Sequence, residues 1–184
     1  RFQNVLYVDQ EIQENSVLKW LRKTGTEDTW WIDAFPGMNE PLAAVPQQEG
    51  SLQVVVPQGS SLSLYQLRPG GQPLQLASTV LPSGPLQPVG RTWAVRQRNA
   101  WACSVYDDRS KRLYLIHPGA DSLGIEAVYA AAEVHYSTIL DDRLYILLFD
   151  SAESTITLLE RGSIWDREAD RRAFEVLPVT LCEG

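Results

Sequence analysis

The chain has 184 residues, with 16 Lys and Arg against 23 Asp and Glu, for a net charge of −7 at pH 7. An acidic surface repels phosphate backbones, so nucleic acid is set aside as a partner. Hydrophobic residues make up 44% of the chain, too many for a disordered segment, and the densest apolar run, 144–149, is strand-sized and far short of a bilayer span, so no membrane partner is expected.

In chain order, residues 4–9 (Asn-Val-Leu-Tyr-Val-Asp) read as a strand, 10–16 as a polar turn and 17–21 as the antiparallel partner. A second turn at 23–25 precedes a strand at 29–32, and Pro36-Gly37 breaks the chain before a new strand at 41–45. The run 51–56, a turn at 57–60 and the run 62–67 form a second hairpin, closed by Pro69-Gly70-Gly71 and followed by strands at 74–80 and 92–95.

The clearest hairpin is 100–119. Trp101, Cys103 and Val105 alternate with Ala102, Ser104 and Tyr106. Asp107, Asp108 and Ser110 supply turn chemistry, because their side chains bond their own backbone. Residues 113–116 resume the strand, and Pro118-Gly119 stop it. Weaker strands follow at 125–128 and 133–139. A fourth hairpin joins 143–150 to 155–159 through a turn at 151–154. The charged run 166–172 reads as a loop or short helix, and strands at 174–177 and 179–181 end the chain. No stretch holds a 3.6-residue period for three turns.

Laid together, the hairpins recur near residues 4, 51, 101 and 143, an interval of about 40 to 50 residues, with repeats at 1–50, 51–100, 101–142 and 143–184. That interval, with about four strands in each repeat, predicts an all-β, β-propeller-like single domain of four blade-type repeats. A sandwich or barrel is the competing architecture. Four blades either close a small ring, form an arc completed by a second copy in a homodimer, or belong to a longer propeller.

The order of parts resembles the blades of the fungal fucose-specific lectin family. A small apolar strand comes first, as at 42–45 or 125–128. A strand ending in Asp follows, as at 6–9, 104–108 and 147–150, and then a Ser-led strand, as at 16–19, 61–64 and 154–157. The resemblance implies a propeller whose sugar pockets pair an Arg on the second strand with a Glu on the third beside a Trp. Here the Arg position holds Val5, Gln53, Cys103 and Tyr145, and the Glu position holds Lys19, Leu64, Tyr114 and Leu158. No repeat keeps the pair, so fucose binding by that mechanism is not expected.

The leading functional expectation is a lectin-like protein that binds a glycan or a small amphiphilic ligand. The alternative implied by the resemblance is a cofactor-free enzyme like the lectin-like hetero-Diels–Alderases, and a third is a protein-binding propeller fragment. Adjacent Trp30 and Trp31 on one strand point to opposite faces, so one of them leaves the core. Trp30, Trp31, Tyr7 and Tyr65 are the candidate ligand-binding residues. Tyr106, His135 and Tyr145 are the candidate catalytic hydrogen-bond donors of the enzyme reading. His117 and His135 have no ligand partner at metal-binding spacing, and Asp107-Asp108 and Asp141-Asp142 suit turns, so no metal is expected. Phosphate-loop, dinucleotide-glycine and nucleophile-elbow motifs are absent, so no cofactor is expected. The chain opens on Arg1 and carries two cysteines, Cys103 and Cys182. Either a leader has been removed or the sequence begins within a longer chain; a secretory compartment is expected, with the two cysteines as either a disulfide or buried thiols.

Overall fold

A computed structural model describes residues 3–10, 16–23, 29–47, 50–81, 84–87, 95–97, 100–119, 122–130, 134–140, 143–150, 152–163 and 174–178. The chain divides into two compact units, Arg1–Pro85 and Leu86–Gly184. Among the described residues there is no α-helix, and no helix long and apolar enough to cross a membrane. The protein is all-β, built from four antiparallel sheets.

The first unit holds two sheets. One runs β1 (Gln3–Gln10), β2 (Ser16–Lys23), β3 (Trp30–Pro36), each strand pairing with the next. The Leu6↔Trp20↔Asp33 and Val8↔Leu18↔Phe35 rows share one face, because paired residues in an antiparallel ladder project together. The other sheet runs β4 (Ala43–Pro46), β5 (Leu52–Gln58), β6 (Ser61–Leu67), β7 (Leu74–Val80). Gly59 supplies the left-handed φ of 56° that its tight β5–β6 turn requires. Leu18, Trp20 and Phe35 of the first sheet form one core with Leu52, Val54, Val56 and Leu67 of the second.

The second unit repeats the plan. Its first sheet runs β8 (Val95–Gln97), β9 (Ala100–Asp107), β10 (Arg112–Pro118), β11 (Leu123–Ala130). Its second runs β12 (Val134–Leu140), β13 (Arg143–Asp150), β14 (Thr155–Ser163), β15 (Phe174–Leu177). Ala102, Tyr106, Leu113 and Leu115 of the one pack with Ile139, Leu144, Ile146 and Leu159 of the other.

The inner strands of the β4–β7 and β8–β11 sheets carry buried residues on both faces. In the former, Leu52, Val54 and Val56 line one face and Ala43, Val55, Leu62 and Leu64 the other. In the latter, Ala102, Tyr106 and Leu113 oppose Trp101, Cys103, Val105 and Ile116. Such strands read as continuous apolar runs rather than clean alternation.

The sheets begin ahead of the expected repeat boundaries. Ala43–Pro46 pairs with Leu52–Gln58, so residues 43–46 open the second sheet rather than close the first repeat. The run 125–128, expected to lead a unit, lies in β11 and closes the third sheet, while β12 opens the fourth. A short apolar run carries no mark of which neighbour it will pair with, since pairing is set by tertiary packing. The charged run 166–172 and the strand 179–181 lie outside the described residues.

Candidate functional site

The site of most chemical interest lies between the two sheets of the second unit. On β14, alternation turns Leu159 and Arg161 toward the shared core and Glu160 away, as the Ile146↔Leu159, Leu144↔Arg161 and Tyr145↔Glu160 pairs fix. On the facing sheet, the Ser104↔Leu115↔Glu126 row points into the same core. An arginine is thus carried inward by the period of its strand.

Arg161 Nη2 donates to Glu126 Oε1 at 3.5 Å, with the Arg side chain 3% exposed and the Glu side chain 36%. The Nε–H of Arg161 is buried and has no hydrogen-bond partner among the described residues. Nearby in the same interlayer, the Ser104 and Ser137 hydroxyls are 3.0 Å apart. Tyr129 meets Phe174 edge to face, with centroids 5.1 Å apart at 71°.

Removing a guanidinium from water costs several kcal/mol unless good geometry and further hydrogen bonds offset it. A single 3.5 Å contact falls short of the two-pronged Arg–carboxylate pair that would do so. The arrangement therefore holds a donor in reserve. An acceptor such as a hydroxyl, ring oxygen or carboxylate is the chemistry it fits. Glu126 supplies the complementary acceptor, and Tyr129 and Phe174 supply an apolar wall.

The expected site residues scatter. Tyr7 and Trp30 share the outward face of the first sheet, beneath Lys19 at 5.7 Å and Lys23 at 6.0 Å. Trp31 lies on the opposite face, in the row of Arg22, and remains 53% exposed. The two tryptophans oppose each other as strand geometry requires, but both leave the core, Trp30 being 41% exposed as well. Tyr65 is half-buried at the margin of the first unit's core, accepting from Gln58 Nε2 at 3.0 Å and donating to Gln75 Oε1 at 3.4 Å.

Tyr106 is buried in the second unit's core, whereas Tyr145 lies on the face of its sheet that points away from that core. The two are not brought together. The His135 side chain lies outside the described residues. Cys103 is fully buried on β9, and Cys182 lies outside the described residues, as do Asp141 and Asp142.

Asp107 is fully buried at the end of β9. Its carboxylate accepts from Gln87 N at 2.7 Å, Ser110 N at 3.1 Å and Ser110 Oγ at 2.5 Å. Burial pushes the carboxyl up, but hydrogen bonds from the Ser110 hydroxyl and from backbone N–H groups of Gln87, Ser110 and Arg109 outweigh it and hold the group below the ordinary carboxylate range. Asp150 repeats the device at the fourth hairpin, accepting from Ala152 N at 2.9 Å and Glu153 N at 3.1 Å. These aspartates hold turns, in line with the turn chemistry read from the sequence.

Neither Arg161 nor Glu126 stood out in the sequence. The available signal was phase: Leu159 and Arg161 stand two apart, so an arginine continues an apolar face.

No family model matches the chain, and no curated protein matches it. Among solved structures, the crystal structure of a protein from Lactobacillus plantarum is similar at 12% identity with a TM-score of 0.49, over 96% of this chain and 65% of that one. The chain thus spans about two thirds of that protein's resolved length.

Proposed function

We propose that this chain is a lectin-like binding module with its four sheets as β-propeller blades. It takes a glycan or a small amphiphilic ligand between the third and fourth sheets. Four antiparallel sheets of three or four strands, each running in chain order, support the blade reading. The observation that carries the binding reading is the buried Arg161 Nε–H that has no acceptor among the described residues, beside the half-exposed carboxylate of Glu126.

In this reading Arg161 donates to a ligand hydroxyl, ring oxygen or carboxylate. Glu126 accepts from a neighbouring hydroxyl, which fixes the orientation of the ring. Tyr129 and Phe174 cover the apolar face of a sugar. Glu126, Tyr129 and Phe174 are the accessible rim and Arg161 the floor. A glycan array probed with the purified chain tests it. Retention on one class of sugar, lost in Glu126→Gln, is expected. Silence across neutral and acidic sugars alike would leave the binding reading without support.

A further inference from the structure

The inward face of the first sheet ends in a row of three residues that lies beyond the core. Asn4 on β1, Arg22 on β2 and Trp31 on β3 are cross-strand partners, so their side chains stand together on the face that carries Leu18, Trp20 and Phe35. Trp20, one row in, is 1% exposed, whereas Trp31 is 53% exposed and Asn4 is exposed too. The row therefore stands at the mouth of the layer between the first and second sheets. An indole left open beside two polar side chains fits a ligand with an apolar face and a polar edge.

Contacts within the first unit hold the polar groups in place. Arg22 Nε donates to Asp33 Oδ2 at 3.0 Å, Nη2 lies 2.8 Å from the same oxygen, and the guanidinium sits over the Trp20 ring at 5.0 Å. Asp33 is itself fixed by Gly70 N at 2.8 Å. Asn4 Oδ1 accepts from Trp20 Nε1 at 3.0 Å, which orients the amide. Among the described residues, Arg22 Nη1 and Asn4 Nδ2 have no acceptor. Two donors are thus fixed in advance beside an open aromatic ring, which lowers the ordering cost of binding.

The charge balance selects the ligand. Asp33 neutralises Arg22, and the chain carries a net charge of −7, so an anion has little to gain here. Sugar hydroxyls and a ring oxygen are neutral acceptors that suit the two donors, and the C–H face of a hexose suits the indole. We propose that Asn4, Arg22 and Trp31 form a subsite for a neutral hexose, with Trp31 under its apolar face and Arg22 Nη1 and Asn4 Nδ2 donating to its hydroxyls. These are not the Arg and Glu positions of the lectin-like order, which in this repeat hold Val5 and Lys19 on the opposite face. The row lies wholly within the first unit and does not depend on the Glu126–Arg161 site.

Nuclear magnetic resonance of the isotope-labelled chain, titrated with methyl β-galactoside, tests it. The indole N–H resonance of Trp31, assigned by its loss in Trp31→Phe, is expected to shift with a Kd on the order of 1 mM, because an open platform covers only part of one ring. Arg22→Lys keeps a cation for Asp33 but loses the planar fork. Asn4→Asp, at an exposed position, keeps the acceptor for Trp20 and loses the amide donor. Each should raise that Kd about fivefold or more in a protein folded by circular dichroism. A Trp31 resonance that stays still up to about 50 mM sugar would overturn the proposal. So would one that moves equally in both variants, since stacking alone would then account for binding, or one that responds to galacturonate at lower concentration than to methyl β-galactoside. The Glu126–Arg161 site is scored separately, by Glu126→Gln on the array, so either site can fail without the other.

Discussion

Arg161 on β14 and Glu126 on β11 face each other across two sheets at 3.5 Å, with the cation buried and the carboxylate at the rim. The pair is weak as a structural bond and useful as a binding group, and the two roles separate on substitution. Replacing the buried cation by an apolar side chain of similar length is often neutral or stabilising. Arg161→Met is therefore expected to unfold in urea within about 1 kcal/mol of the wild type or above it. Glu126→Gln, which leaves the cation buried without its counter-charge, is expected to cost about 1–2 kcal/mol, the partial exposure of Glu126 limiting the loss.

Asp107 makes stability depend on pH in a defined direction. Its carboxyl titrates below the ordinary range in the folded chain, so the unfolded chain takes up the proton first as pH falls. The contribution is complete above about pH 5 and is lost as pH drops below about 4 toward the folded value. Asp107→Asn is expected to cost about 1–3 kcal/mol at pH 7 and to flatten the acid limb of a urea-midpoint profile taken from pH 7 to 3. An unchanged acid limb would remove Asp107 from the account.

Gly124 makes room for a neighbour's ring. A Cβ built there would sit 2.2 Å from Cε1 of His117, its cross-strand partner on β10. Because the atoms met are the outer ring atoms of a half-exposed side chain that can swing aside, Gly124→Ala is expected to destabilise by about 1 kcal/mol. Adding His117→Ala should recover most of that loss, and a double-mutant cycle in thermal unfolding measures the coupling.

Asp33 ties two segments of the first unit. It accepts from Arg22 Nε at 3.0 Å and from Gly70 N at 2.8 Å, joining β3 to the turn after β6. Asp33→Ala is expected to cost about 1–3 kcal/mol, because it leaves a largely buried guanidinium and a backbone donor unmatched. Hydrogen exchange at Gly70 should accelerate in that variant.

The hairpins were legible because their information is local. Alternation around Cys103, turn chemistry at Asp107 and the Pro118-Gly119 stop all sit within twenty residues. The opposed faces of Trp30 and Trp31 follow from strand geometry alone. The strand ending at Pro36 runs beyond the expected 32, which a sheet tolerates because β3 is an edge strand. The site was hidden for the opposite reason. Glu126 and Arg161 are 35 residues apart, and only sheet-on-sheet packing joins them. A charge on a strand ordinarily signals solvent, and that expectation fails where a polar group is kept inside.

The most direct test of the binding site is isothermal titration of wild-type protein and Arg161→Met, side by side, with the sugar class retained on the array. The account predicts that Arg161→Met keeps its folding stability and loses affinity about tenfold or more, since a charged hydrogen bond to the ligand disappears while no buried cation is left unpaired. Equal affinity in the two proteins, with both folded, would contradict it.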